Sequence, residues 1–404
     1  MKSPNLNVLM LSDVYFPRIN GVSTSIQTFK QELASHGIKV TVGAPAYPGQ
    51  NDAEDAANDV WRIPSRQVPL DPEDRLMTRA GLAAFKRRVA SADFSLIHIQ
   101  TPFAAHYAGL KLARQLHLPV IATYHTHFEE YLFHYVPVVP KNVLRGLSRK
   151  FARGQCNALD VVVVPSQPMA ETLGSYGVTS PMHVIPTGLP ESQFIRGDGA
   201  AFRKAFNIPA ERKIALFVGR AAFEKNIGFL LQVAALARRQ RPDLLLVIAG
   251  EGPALESLKR QANDLGLNDH VRFVGYLPRE TGLRDCYAAA ELFVFSSLTE
   301  TQGLVLLEAM AVGVPVLGIP ALGAAEIIGP QRGAVAAANT PAGFSAQLVD
   351  LLDHPERRLA LGAEAITFAR QWDAATQASR LALLYRDLVR APMAVHFSQP
   401  PIPA

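Results

Sequence analysis

Short runs of apolar, often β-branched residues alternate with helical stretches along this chain, and the series runs through twice. The runs of the first half are Asn7–Leu11, Lys39–Gly43, Leu96–Ile99, Val120–Tyr124, Val161–Val164 and His183–Ile185. They are almost continuously apolar, as strands must be when helices cover both faces of a parallel sheet. Between them, Ser23–Ser35 places Ile26, Phe29 and Leu33 on one helical face, with Ser23 or Thr24 to cap its start and Gly37 to end it. A second series begins near residue 205, with runs at Ile214–Val218, Leu244–Ala249, Val271–Val274, Leu292–Phe295 and Val314–Leu317. Its clearest helix is Ile227–Arg239. This alternation specifies a doubly wound α/β sheet. Two tandem Rossmann-like domains are expected, over 1–190 and 200–372, joined by Pro186–Pro190 and the polar stretch to Gly199. A helix over 373–390 is expected to return to the first domain, and the proline-rich 391–404 to form a disordered tail. Such sheets bind ligands at the carboxyl ends of their strands, which places the expected chemistry in a cleft faced by both domains.

Composition narrows the function classes. With 404 residues, 49% hydrophobic and 19% charged, the chain is neither disordered, collagen-like nor a coiled coil. Cys156 and Cys286 are too few for a disulfide framework and lack metal-site spacing. A net charge of +5 is too small to indicate nucleic acid. Met1–Leu11 reads as a core strand, not a signal peptide, and Ala309–Ala325 is broken by Pro315 and Pro320, not a membrane span. A cytoplasmic protein is expected, soluble or peripheral.

Three strand-to-helix loops carry candidate chemistry. In Gly219-Arg220-Ala221-Ala222-Phe223-Glu224-Lys225-Asn226, an Arg and a Lys flank the turn into a helix. Guanidinium and ammonium groups beside helix N-terminal amides suit a diphosphate, although an isolated pair is more often a solvated turn. In Ser296–Met310, Glu300 sits in the turn after a strand, Gly303 permits close approach where a helix starts, and Glu308 lies in that helix among apolar residues. A buried carboxylate needs a partner, and sugar hydroxyls would serve; one capping and one surface Glu is the plainer alternative. In Ser12–Ser23, Gly21 opens a helix after a strand, another anion-friendly terminus.

In this order, the three segments resemble the retaining glycosyltransferases of GT-B fold known as family 4. Gly250-Glu251-Gly252-Pro253 and Gly275-Tyr276-Leu277-Pro278 match the family as well, and the likeness spans about residues 5–390. The resemblance implies that Arg220 and Lys225 bind the donor diphosphate and that Glu308 binds the ribose. It assigns Glu300, with the amides of Gln302, Gly303 and Leu304, to the donor sugar, and places Gly21, Gly252 and Tyr276 in the donor site. His125 matches the histidine facing the sugar beside the reacting carbon; without the family, a lone histidine reads as structural. No Asp-x-Asp occurs, and neither a metal nor another cofactor is expected, because Arg220, Lys225 and helix termini would stabilise the leaving diphosphate. A metal site joining His125 with His127 and His134 is disfavoured, because their i, i+2 and i+9 spacing matches no standard ligand pattern. The implied chemistry is a front-face displacement in which the departing phosphate takes the acceptor proton, with domain closure bringing His125 to the donor. A nucleotide-sugar 2-epimerase shares the architecture, but the Gly-Arg…Lys run and the paired glutamates oppose it. A binding protein without turnover is opposed by the intact candidate site.

Departures from the family average point to an acceptor. Gln302 where many members carry Phe, the run Tyr124-His125-Thr126-His127-Phe128 with His134-Tyr135, and Pro186-Thr187-Gly188 resemble the subgroup that glycosylates diacylglycerol. Leu96–Pro102 is similar to that subgroup too, with Gln100 in place of a frequent second histidine. Charge gives a separate indication. Lys141, Arg145, Arg149 and Arg153 recur every four residues on one helix face, with Lys150 at its border and Val143, Leu144, Leu147 and Phe151 opposite. From Arg66 to Arg153 there are 13 Lys and Arg against 6 Asp and Glu, an excess of +7 that exceeds the whole chain's +5. Anionic headgroups would attract such a surface, although a core-packed helix with a solvated basic face has the same pattern. The leading expectation is a peripheral enzyme on the inner face of the plasma membrane, moving a hexose from UDP-glucose to diacylglycerol. The alternative keeps the donor site but uses GDP-mannose or a UDP-sugar with a polyprenyl-linked or soluble saccharide acceptor.

Overall fold

The computed structural model describes residues 5–68, 71–125, 141–279 and 281–391. Its chain divides into two compact units. The first contains β1 (Leu6–Leu11), β2 (Ile38–Pro45), β3 (Val60–Ile63), β4 (Ser65–Val68), β5 (Asp71–Met77), β6 (Leu96–Ile99), β7 (Val120–Thr123), β8 (Val161–Val164) and β9 (Met182–Val184). Seven of these form a parallel sheet in the order β3-β2-β1-β6-β7-β8-β9, and β4 and β5 pair antiparallel. The second unit contains β10 (Lys213–Val218), β11 (Leu244–Ala249), β12 (Val271–Gly275), β13 (Leu292–Phe295), β14 (Val316–Gly318) and β15 (Ala334–Ala336). All six are parallel, in the order β12-β11-β10-β13-β14-β15.

All eleven expected strands form, the largest shifts being two residues: β2 ends at Pro45, and β14 starts at Val316, directly after Pro315. Four strands escaped the periodicity. β3 is a half-buried edge carrying Arg62, β4 and β5 make a largely polar hairpin, and β15 is only Ala334-Val335-Ala336. None of them has the buried apolar run that marks a central strand.

In both sheets the strand order reverses beside the central strand, between β1 and β6 and between β10 and β13. Helices leaving neighbouring strands on opposite faces part there, and a crevice opens at the carboxyl ends. The loops after β1 and β6, and after β10 and β13, are therefore the ones positioned to hold ligands.

The first helix spans Gly21–Ala34 and buries Ile26, Phe29 and Leu33 as expected. Its cap is different: the Asn20 side chain accepts from the Ser23 amide at 2.9 Å, while the Ser23 hydroxyl donates to the Arg18 carbonyl at 2.8 Å. Ser23 and Thr24 are already inside the helix and cannot cap it. The last helix, Ala374–Arg390, belongs to the first unit. Its Leu381 and Tyr385 enter the core formed by Val8, Met10, Ile26, Phe29, Ile121 and Val163. Residues 392–404, expected to be a disordered tail, lie outside the described residues.

Candidate active site

In the second unit, the loops after β10 and β13 are sewn together. The Asn226 amide donates to the Ser296 carbonyl at 3.2 Å, and the Ser296 hydroxyl returns a bond to the Asn226 carbonyl at 3.0 Å. The Ser297 hydroxyl reaches the Glu224 carbonyl at 3.3 Å. This stitching brings Lys225 to Glu300, Nζ to Oε2 at 2.5 Å, across 75 residues of sequence. Both side chains remain partly open to solvent. Arg220 lies on the same loop, directly after Gly219. An ammonium and a carboxylate thus meet at the strand ends, on loops of which one also carries Arg220.

Gly303 precedes the helix Leu304–Ala311 with φ +94°, a conformation that side-chain-bearing residues rarely adopt. No side chain caps this helix. Its first amides carry the positive end of the helix dipole. Gln302 is buried beside them, and Leu304 is half-buried. Gly252 serves the local backbone directly: a Cβ there would lie 2.6 Å from the Ala221 carbonyl oxygen. The loops after β10 and β11 approach this closely because Ala221 N–H donates to Glu251 O, and Ala254 N–H to Ala221 O, each at 2.8 Å. Tyr276 is exposed.

Glu308 has protein partners that the sequence did not disclose. Its side chain is 1% exposed and ion-paired with Arg279, while the Tyr287 hydroxyl donates to Oε2 at 2.9 Å. Glu308 holds the Arg279 guanidinium more firmly protonated than usual, and burial drives the Tyr287 hydroxyl well above the ordinary phenol range. The need for a partner was legible; that Arg279, just beyond Gly275-Tyr276-Leu277-Pro278, and Tyr287 would supply it was not. The buried carboxylate thus has protein partners where the sequence alone suggested sugar hydroxyls.

The first unit carries its own set of expected residues at its strand ends. No side chain of Gly21 is missed by the packing, because a Cβ there would meet nothing within 4 Å. Asp13, at the end of β1, accepts from the Thr101 hydroxyl at 2.7 Å and the Ala105 amide at 3.1 Å. It thereby caps the helix Ala104–Leu116, whose own N-cap Phe103 cannot. Burial raises the Asp13 pKa most, against these bonds. His125, after β7, has its Nε2 2.9 Å from the Gln100 Oε1 at the end of β6. An amide oxygen can only accept, so Nε2 carries the proton. Burial lowers the His125 pKa to about 4, which keeps the ring neutral. Gln100, noted only as a departure from the family pattern, is the residue that fixes this tautomer.

The helix Lys141–Cys156 presents a mixed outer face. Arg145, Arg149, Lys150 and Arg153 are exposed as the spacing predicts. The opposite face is not the expected one. Leu144 is buried, but Leu147 is 58% and Phe151 37% exposed. Ser148, Ala152, Gln155 and Cys156 take the inner positions with Leu144, and Gln155 Nε2 donates to the Pro102 carbonyl at 2.6 Å. The side chains of Lys141 and Val143 lie outside the described residues, as do His127 and His134. Among the described residues, no three His, Cys, Asp or Glu side chains converge on a metal position. Among the same residues, no helix is long and apolar enough to cross a membrane.

Two doubly wound parallel sheets, each with its loops gathered at a reversal of strand order, define the GT-B class of enzyme. Residues 198–368 match the profile described as glycosyl transferases group 1, and residues 19–193 that of glycosyltransferase family 4. Over 321 residues, the chain is 35% identical to the alpha-monoglucosyldiacylglycerol synthase of Streptococcus pneumoniae, spanning 77% of this chain and 70% of that protein. It is 28% identical over 331 residues to a GDP-mannose-dependent alpha-mannosyltransferase of Corynebacterium glutamicum, 80% of this chain and 74% of that one. Sucrose-phosphate synthase from Thermosynechococcus elongatus has the same fold, with a TM-score of 0.79, 23% identity, and coverage of 95% and 99% of the two chains. The chain therefore belongs to the family 4 glycosyltransferases and is a hexose-transferring enzyme.

Proposed function

We propose that this enzyme transfers a hexose, glucose in the first instance, from a UDP-sugar to diacylglycerol at a membrane surface, with retention of the anomeric configuration. Arg220 and Lys225 are assigned to the diphosphate, Glu308 to the ribose, and Glu300 with the Gln302, Gly303 and Leu304 amides to the sugar. His125 is assigned to the sugar's reacting side. The anomeric carbon–oxygen bond to the diphosphate breaks as the acceptor oxygen bonds to the same face of that carbon. The acceptor proton passes to the departing phosphate oxygen. Positive charge on Arg220 and Lys225 stabilises the diphosphate as its charge grows, the largest usual contribution to a step of this kind.

The observation that carries the lipid acceptor is the outward pair Leu147 and Phe151, set among Arg145, Arg149, Lys150 and Arg153. Such a face suits the headgroup boundary of an anionic bilayer. Each basic residue near that surface contributes about 1 kcal/mol of attraction. The similarity to an alpha-monoglucosyldiacylglycerol synthase across both units supports the same reading. The relative described as a GDP-mannose-dependent alpha-mannosyltransferase favours a second reading, a mannosyl donor with a different acceptor.

One experiment separates them. The protein is incubated with UDP-glucose, UDP-galactose or GDP-mannose and with vesicles of phosphatidylglycerol and diacylglycerol, and the lipids are read by mass spectrometry. A hexosyldiacylglycerol formed from UDP-glucose is the expected product. No hexosyldiacylglycerol from any donor overturns the lipid reading, and product from GDP-mannose alone selects the second.

A further inference from the structure

Three side chains form a continuous buried path from the last helix to the end of β7. The Tyr385 hydroxyl lies 2.6 Å from His98 Nδ1, and His98 Nε2 lies 2.7 Å from the Thr123 hydroxyl. The Tyr385 and His98 rings also meet edge to face, with centroids 5.7 Å apart. All three residues are buried. Burial lowers the His98 pKa to about 3, so this ring is neutral and offers one donor and one acceptor to two hydroxyls.

Strand geometry gives the path its meaning. β6 and β7 run parallel with His98 opposite Ile121, and side chains two residues apart on a strand share a face. His98 and Gln100 therefore lie on the same side of β6, and Thr123 and His125 continue the same side from β7. Two cross-strand rungs result: His98 to Thr123, then Gln100 to His125 one step nearer the strand ends. The backbone ladder sets the register of β6 and β7, and the lower rung adds a side-chain tie just below the residues that make the upper one. The Tyr385 hydroxyl closes the lower rung from the last helix, which the chain reaches only after completing the second unit.

We propose that Tyr385 is a positioning residue for His125, acting through His98 and Thr123 to fix the strand ends on which the Gln100–His125 bond is made. The proposal rests on the assignment of His125 to the reacting sugar. Tyr385→Phe removes only the hydroxyl and keeps the ring contact. A displacement of about 1 Å at a reacting group costs about a hundredfold in rate, and the smaller shift expected here lowers kcat about tenfold. The donor KM changes less than twofold, because Arg220, Lys225, Glu300 and Glu308, assigned to the donor, lie in the second unit. Thr123→Val gives the same loss, Thr123→Ser restores the rate, and Tyr385→Phe with Thr123→Val is no worse than either alone.

The direct readout is the His125 ring in protein labelled with 15N-histidine. Tyr385→Phe is expected to shift the His125 Nε2–H resonance and speed its exchange with water, with the second unit's amide spectrum unchanged. An unmoved His125 resonance overturns the proposal, as does wild-type kcat in Tyr385→Phe. Full activity in His125→Asn would overturn the assignment of His125 instead, while the resonance shift would still establish the coupling. Should Tyr385→Phe fail to fold, Thr123→Val carries both measurements.

Discussion

Replacing Arg279 with methionine removes the charge that faces Glu308 while keeping much of the side chain's apolar length. Glu308 is 1% exposed, so its carboxylate cannot turn to water for compensation. Removing one partner of a buried ion pair costs about 3–5 kcal/mol, since the remaining charge stays buried. Arg279 is 24% exposed, and Tyr287 continues to hold Oε2, which places the cost at the lower end, about 3 kcal/mol. A folded unit of 150–250 residues loses about 2–4 °C of melting temperature per kcal/mol, so the second unit should melt about 6–12 °C lower. Calorimetry of Arg279→Met, Glu308→Gln and the double variant measures this. Once the carboxylate is gone, methionine leaves little unpaired, and the double variant should recover most of the loss, with a coupling above about 1 kcal/mol. A fall below about 2 °C for Arg279→Met, or simple additivity in the double variant, would refute the view that the Arg279–Glu308 ion pair stabilises the second unit.

Lys225→Ala should weaken UDP binding and lower kcat/KM together by about a hundredfold or more, as loss of a preorganised charge does; isothermal titration showing unaltered UDP affinity would remove Lys225 from the donor site. Leu147→Asp with Phe151→Asp should reduce flotation with phosphatidylglycerol vesicles without changing the circular dichroism spectrum, and equal flotation would place the membrane contact elsewhere. Acid should weaken the first unit through His98, His106 and His125, whose folded pKa values are about 3, 4 and 4 because of burial. The unfolded chain takes up these protons near pH 6.5, so the stability they contribute is full above that pH and falls as pH drops toward 4, by about 1.4 kcal/mol per pH unit for each histidine. Hydrogen exchange at pH 5 and pH 7.5, corrected for intrinsic rates, should show protection lost mainly in the first unit, and equal losses in both units would contradict this origin. Gly252→Ala should lower stability by about 1–3 kcal/mol, because its φ of +154° and the Ala221 carbonyl leave no room for a methyl group; an unchanged melting curve would exclude that contact.

The sequence by itself determined the central strands and their succession along the chain, the tandem plan, the loops that bear Arg220, Lys225 and Glu300, and the helix that bears Glu308. Such features are local: a strand buried on both faces must read as an apolar run, and the loop that follows it sits at the strand end. It also located the basic helix, because a four-residue repeat fixes a face whatever that helix packs against. The tertiary structure decided the partners. Lys225 meets Glu300 because two loops are stitched across 75 residues, and Arg279 with Tyr287 occupies Glu308. Leu147 and Phe151 are exposed while Leu144, Ser148 and Ala152 are buried, a choice of face that the helical repeat alone did not make. Tyr385 reaches His98 across 287 residues. Periodicity along a chain reports which face is apolar, but hydrogen bonds and ion pairs depend on which distant segments the packing brings within 3 Å, and no local pattern encodes that distance.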